Sequence, residues 1–246
     1  MKKNCYDDET FFQGYKKIRE IEKQYRQLLE QPAMRDYMPD VRGKNILDIG
    51  CGVGKNSRNF AEEGALRVLG IDRSMRALEA AKKESACREV EYVHLEAEKL
   101  HEIREKFDIV YSSLVFHYIE DFEKLVVDIS DRLKKDGVLL FSQEHPIMTA
   151  SLNKELGWNY DEKGREISYS FANYNTPGIR GSHWFIDEVI KYHRTMGQIV
   201  TTLAAHGFHI EILHESSPTS SALEKCPRLR REFLKPNFLI IRARKL

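Results

Sequence analysis

The stretch Ile46-Leu-Asp-Ile-Gly-Cys-Gly-Val-Gly-Lys-Asn constrains the fold of this chain more than any other, because an apolar run turns through glycines at 50, 52 and 54 into helix-forming residues. A buried strand that enters a helix this way opens a parallel α/β unit and leaves helical N–H groups facing whatever binds at the turn. From Lys44 onwards short apolar runs alternate with helical stretches. The pattern predicts strands near Asn45–Ile49, Arg67–Ile71, Val90–Leu95, Phe107–Tyr111 and Val138–Ser142. Helices are predicted between them, near Lys55–Glu63, Ser74–Ala86 and Asp121–Lys134. Strands near Phe208–Leu213 and Asn237–Arg242 follow at the end. The expected architecture is a doubly wound, mostly parallel seven-stranded α/β sheet with an antiparallel last strand.

The flanks divide the single domain. Residues 1–40 form an N-terminal helical cap, with Phe11, Tyr15, Ile18, Tyr25 and Leu29 on one helical face and Pro32 and Pro39 ending the helix. Residues 41–145 hold the glycine turn. Residues 146–185 lose regularity and carry Trp158, Tyr160, Tyr174 and Trp184, so they form either a lid that excludes water or a satellite core. Residues 186–246 resume with a helical stripe of Ile186, Val189, Ile190, His193, Ile199, Val200 and Leu203, stopped by Gly207.

Composition excludes several partners. Lys and Arg number 39 against 38 Asp and Glu, a net charge of +1, so nucleic acid is not favoured, although Arg228, Arg230 and Arg231 form a local basic patch. No apolar run reaches membrane-spanning length, and the basic start lacks the apolar stretch of a secretory signal. A cytoplasmic protein is expected. Cys5, Cys51, Cys87 and Cys226 form no C-x-x-C pair and read as reduced thiols, and His206, His209 and His214 lack metal-ligand spacing and read as surface residues. No metal is expected.

The residues around the turn separate three ligand classes. A P-loop would place glycine where Ile49 stands and Ser or Thr where Asn56 stands. A dinucleotide fingerprint would place glycine at Lys55. Asp48 would repel a pyrophosphate but suits an ammonium, as in the amino-acid end of S-adenosylmethionine. Asp72 closes the second strand where a carboxylate can receive ribose hydroxyls, and Glu96 or the backbone after it can receive an adenine amino group.

These motifs give the chain a resemblance to the class I S-adenosylmethionine-dependent methyltransferases, in a bacterial branch. The resemblance rests on Leu47-Asp-Ile-Gly-Cys-Gly-Val-Gly, Gly70-Ile-Asp-Arg-Ser-Met, Phe107-Asp-Ile-Val-Tyr-Ser-Ser-Leu-Val-Phe-His-Tyr-Ile and Leu133-Lys-Lys-Asp-Gly-Val-Leu-Leu-Phe. It implies that Gly50, Gly52 and Gly54 border the methionine part, that Asp72, with Arg73 and Met75 beside it, meets the ribose, and that Glu96, Ala97 and Glu98 meet the adenine. Ser112 and His117 would face the methyl-transfer side. Tyr15 and Arg19 would close over the cofactor, although packing alone would also explain Tyr15. The product would be S-adenosylhomocysteine.

A sulfonium methyl is already activated, so positioning the nucleophile is the main task and a base is optional. For a base, His117 is the first candidate because it follows the fourth strand at the mouth of the sheet, where open α/β folds bind ligands. His145 and Glu144 follow the fifth strand there, and Glu144 is a candidate partner for an acceptor amine. His193 reads as a core histidine, and Arg194 as structural or as a site for an acidic acceptor. The expected acceptor is a small molecule of unstated identity. The competing readings are a non-catalytic sensor that binds the same cofactor and an NAD-linked oxidoreductase.

Overall fold

The computed structural model describes residues 24–152, 156–184 and 187–246, with the side chains of 182–184 and 187–188 outside the description. Phe11, Tyr15, Ile18, Arg19 and the Trp184 indole therefore lie outside the described residues. A π-helical turn, Arg26–Glu30, runs directly into α1 (Gln31–Asp36). Then follow β1 (Asn45–Ile49), α2 (Lys55–Glu62), β2 (Arg67–Asp72), α3 (Met75–Glu84), β3 (Val90–His94), β4 (Phe107–Ser113), α4 (Phe122–Arg132) and β5 (Leu133–Glu144). The second half holds α5 (Pro146–Ala150), β6 (Trp158–Tyr160), β7 (Glu166–Tyr169), β8 (Gly178–Trp184), β9 (Asp187–His193), α6 (Met196–Ala205), β10 (Phe208–Glu215), α7 (Ser220–Lys225) and β11 (Phe238–Lys245).

The main sheet has seven strands in the order β10-β11-β5-β4-β1-β2-β3. Its strands from β5 to β3 are parallel, and β11 runs antiparallel to both β5 and β10. Ile46, Leu47 and Ile49 are wholly buried because β1 lies at the centre with helices over both faces. One face packs Phe60, Val68, Ile109, Tyr111 and Leu140 under α1 and α2. The other packs Phe116, Phe122, Ile129, Phe141 and Leu203 under α4 and α6. Side chains at Ser74 and Asp121 cap α3 and α4 by accepting the N–H of Ala77 and Lys124.

Three expectations are corrected. Pro32 does not end the N-terminal helix. The preceding turn widens to π spacing, so that the Gln31 N–H reaches Arg26 O five residues back, and the helix absorbs the proline ring and its missing donor. The stripe from 186 to 203 is not one helix. Val189, Lys191 and His193 are buried at strand spacing in β9, and a capping box of Thr195 and Gln198 then starts α6. The insertion is also ordered, with β6–β7 and β8–β9 forming two hairpins, the second of which crosses the expected boundary at 185.

Beneath the glycine turn, Ser57 Oγ on α2 donates to Asp48 Oδ2 at 2.5 Å and ties that helix to β1. Asp48 is only 2% exposed. Burial, reinforced by the charge of Asp72 and opposed by the Ser57 hydrogen bond, pushes its carboxyl up to about 7. A carboxyl whose folded pKa lies above its unfolded value holds its proton more tightly when folded. Its stabilising effect is therefore present at low pH and lost as pH rises from about 4 towards the folded value. Asp48→Asn keeps an acceptor for Ser57 without the buried charge. It is expected to raise the melting temperature by about 3–10 °C at pH 8 and to match the unmodified chain near pH 4. Parallel melting curves that never converge would refute this.

Candidate functional site

The carboxyl ends of β1, β2, β3 and β4 meet at one edge of the sheet, where the connections leave for the helices. At the β1 turn Gly50 has φ +72 and an added Cβ would lie 2.3 Å from Val115 Cγ2, so glycine lets the chain after β4 close onto the turn. Gly52 has φ +57 and an added Cβ would meet nothing within 4 Å among the described residues. Gly52 is thus the point where the turn opens. Its N–H donates to Asp72 Oδ2 at 2.9 Å, while Ser74 N–H donates to Oδ1 at 2.8 Å. Asp72 therefore joins the ends of β1 and β2. Gly54, buried, is the N-cap of α2 and its carbonyl accepts the Tyr92 hydroxyl at 3.2 Å.

The same edge carries the residues expected around a nucleoside. Met75 is 46% exposed at the start of α3 in spite of its apolar side chain. Arg73 is exposed and its carbonyl engages His94 Nε2 at 2.9 Å. Glu96 is half-buried and pairs with Lys99 at 3.3 Å, and Ala97, buried, begins a 3-10 turn. Glu98 is exposed and its carbonyl accepts Lys124 Nζ at 3.3 Å.

The expected transfer residues are placed otherwise. Ser112 is buried and its hydroxyl donates to Ile49 O at 2.9 Å, at the end of β1. His117 is buried, and its Nδ1 accepts the Glu144 N–H at 3.3 Å. A neutral imidazole in that bond carries its hydrogen on Nε2 and is a donor there, not a base. Burial, helped by Lys191 and Arg194 and opposed by Glu144, pushes its pKa down to about 4. His145 is engaged at both nitrogens, Nδ1 accepting from Ile147 N–H at 3.1 Å and Nε2 bonding Glu215 Oε1 at 2.7 Å. Glu144 meets Lys191 Nζ at 2.6 Å, and although burial pushes its carboxyl up, the neighbouring cations bring it below the ordinary value. That carboxylate already has its ammonium.

Several other readings resolve. His193 is a core histidine on β9, held between the Thr149 hydroxyl and Tyr174 O, each at 2.8 Å. Arg194 lies 5.1 Å over the Phe122 ring and donates to the carbonyls of Ile119 and Glu120, which makes it structural. Trp158, with Tyr169, roofs the buried Lys235, whose ammonium also reaches Asn237 Oδ1 at 2.7 Å and is pushed down to about 8 by burial. Arg231 of the basic patch is spent on Glu166 and the face of Trp158. His214 is half-buried against Tyr37 Oη at 3.0 Å rather than on the surface. Among the described residues no His, Cys, Asp and Glu group is arranged to hold a metal. A cleft of about 890 Å³ opens between the starts of α4 and α6, lined by Phe122, Tyr192, Arg194 and Thr201.

Sequence reading missed Lys191, Lys235 and Glu30. Glu30 is 0% exposed, and its Oε1 accepts the hydroxyls of Ser113 at 2.8 Å and Ser142 at 2.6 Å, at the ends of β4 and β5. The π spacing before Pro32 turns it inward, a displacement that helical periodicity does not reveal.

The family described as Methyltransferase domain matches residues 47–141, the span from β1 into β5. An uncharacterized protein of Haemophilus influenzae is 36% identical over 99% of this chain and 97% of its own length. A ubiquinone biosynthesis O-methyltransferase of Neisseria meningitidis is 31% identical over 45% of this chain, a match that spans half of that relative's length. The solved structure of an S-adenosylmethionine dependent methyltransferase from Mesorhizobium loti superposes with a TM-score of 0.81 at 36% identity, covering 88% of this chain and 97% of that one. The edge geometry and these likenesses agree, and the chain belongs to the class I S-adenosylmethionine-dependent methyltransferases.

Proposed function

We propose that this methyltransferase acts on a small-molecule acceptor that arrives already nucleophilic, without a histidine base to deprotonate it. The opening at Gly52, between Asp72 and the first turn of α2, is the observation that carries the cofactor assignment. Gly50, Gly52 and Gly54 would border the amino-acid tail, and the N–H groups at the start of α2 would face its carboxylate. Asp72 would take the ribose hydroxyls, and Met75, Glu96, Ala97 N–H and Glu98 would hold the base. When bound, the cofactor supplies a methyl group made electrophilic by its sulfonium charge. The protein's part is then alignment and exclusion of water, and alignment alone supplies roughly 7–11 kcal/mol in well-oriented systems.

The engagement of His117, His145 and Glu144 supports an acceptor such as a carboxylate, a thiolate or an unprotonated amine. The name of the Neisseria relative, a ubiquinone biosynthesis O-methyltransferase, supports a small-molecule acceptor, on the part of the chain that it matches. Free thiols at Cys51, Cys87 and Cys226 fit a reducing compartment such as the cytoplasm, and no helix among the described residues is long and apolar enough to cross a membrane.

Two experiments test this reading. In calorimetry S-adenosylmethionine and S-adenosylhomocysteine should both bind and NAD should not. Asp72→Ala should weaken both by about 10- to 100-fold. Gly52→Ala should weaken them by at least about tenfold while lowering the ligand-free melting temperature by only about 2–8 °C, since the new methyl meets no atom of the described residues but strains a left-handed residue. Equal NAD binding, or variants that bind as the parent does, would overturn the assignment. In ¹⁵N NMR His117 should stay in the Nε2–H form from pH 8 to about 5 and protonate near the lowered value. Titration near its ordinary value with a free Nε2 would restore it as a base.

A further inference from the structure

We propose that Arg26 and Glu30, on the π turn of the N-terminal helix, are the receptor for the α-carboxylate and α-ammonium of the cofactor's amino-acid tail. The inference rests on the S-adenosylmethionine reading and assigns residues to one part of it. Three observations carry it. The first is position: Ile49 pairs with Ser112 and Ser113 pairs with Ser142, so the hydroxyls that hold Glu30 stand level with Gly50, where the turn begins. Glu30 also shares the α1–α2 face of the sheet, since Ser113 lies on the same side of β4 as Ile109 and Tyr111.

The second observation is that both charged groups are incomplete. Glu30 is wholly buried, with Oε1 held by two hydroxyls and Oε2 without a hydrogen-bond partner among the described residues. Arg26 Nη2 donates to the Ser113 hydroxyl at 3.3 Å, and its buried Nε has no partner among the described residues. A buried polar atom left without a partner is costly, and a native structure that keeps two of them side by side calls for a reason such as a ligand. The third is complementarity. Ser113 Oγ lies between the two groups, so a cation and an anion stand side by side across one oxygen, the charge pattern that a zwitterion inverts. Glu30 Oε2 would accept the ammonium and Arg26 would donate to the carboxylate. Asp48, the acid that sequence reasoning offers the ammonium, sits under the turn with Oδ2 already taken by Ser57 at 2.5 Å.

Leu114 supports the arrangement. It has φ +59, and its N–H donates to Ser142 Oγ at 3.1 Å, so the strained turn after β4 fixes the hydroxyl that fixes Glu30.

The test compares three ligands by calorimetry: S-adenosylhomocysteine, its analogue lacking the α-amino group, and 5′-methylthioadenosine, which lacks the whole tail. Glu30→Gln should lose about 10- to 100-fold in affinity for S-adenosylhomocysteine and nothing for 5′-methylthioadenosine. Removing the α-amino group should cost the unmodified protein a similar factor and cost Glu30→Gln nothing further, because ligand and side chain form one pair. Arg26→Gln should weaken only the ligands that carry the carboxylate. The ligand-free melting temperature of Glu30→Gln should equal or exceed that of the parent, since an orphaned charge is removed. A Glu30→Gln protein that binds S-adenosylhomocysteine as the parent does, or weakens for all three ligands alike, overturns the proposal and leaves the cofactor assignment standing. An unmodified protein that binds 5′-methylthioadenosine and S-adenosylhomocysteine equally also overturns it. Binding of none of the three overturns the cofactor assignment and the proposal together.

Discussion

A parallel sheet covered on both faces leaves its polar groups one place to act, the edge where the strands end. The central strands here are sealed by Leu47, Ile49, Val110 and Phe141 on one side and Ile46, Val68 and Leu140 on the other. Backbone N–H and C=O groups in that interior are consumed by the ladder, so chemistry has to be built where the ladder stops. The hydrogen bond from Gly52 to Asp72 shows the consequence. It joins the turns of two neighbouring strands through a side chain, and it does so at the one glycine of the turn that an extra carbon would leave unopposed. The turn is fixed by its neighbour, yet remains open outward.

The other half of the edge is organised by charges taken out of water in pairs. Lys191 on β9 reaches Glu144 at the end of β5, and Lys235 lies under Trp158 and Tyr169 of the β6–β7 hairpin. Each hairpin is therefore anchored to the sheet by a cation as well as by apolar contact. Burying such groups costs several kcal/mol apiece unless they are matched, so their satisfied geometry marks them as structural fixtures. His117 and His145 belong to the same group, each with its acceptor nitrogen occupied by a backbone N–H.

Much of this was legible in the sequence, and what was not has identifiable causes. The strand from Asn45 to Ile49 matched its predicted limits because apolar period, glycine turn and helix start all agree there. Asp72 was found at the end of β2 by the same logic. The stripe from 186 to 203 failed because Val189, Ile190 and His193 fit a helical face as well as an alternating strand, and only the Thr195–Gln198 capping box separates the two. Pro32 misled because its ordinary effect was cancelled by a change of helical register that leaves no mark in composition. Site residues such as Lys191 were invisible for another reason. A lysine reads as solvent-facing until tertiary structure supplies Glu144.

The contrast between satisfied and unsatisfied groups is what locates the ligand side of the edge. Glu144, His145 and Arg194 find their partners within the chain and have nothing left to offer a zwitterion. Arg26 Nε and Glu30 Oε2 find none among the described residues, although both groups lie beside hydroxyls that complete others of their bonds. A folded chain pays for neither orphan through packing, because Glu30 replaced by an apolar residue of similar length would bury as much surface without the charge. The cost is recovered only when something carrying the opposite charges enters. On the proposed reading the turn at Gly52 would supply the approach and the helix start would supply N–H groups for the same carboxylate, with Arg26 and Glu30 facing the tail from the N-terminal helix.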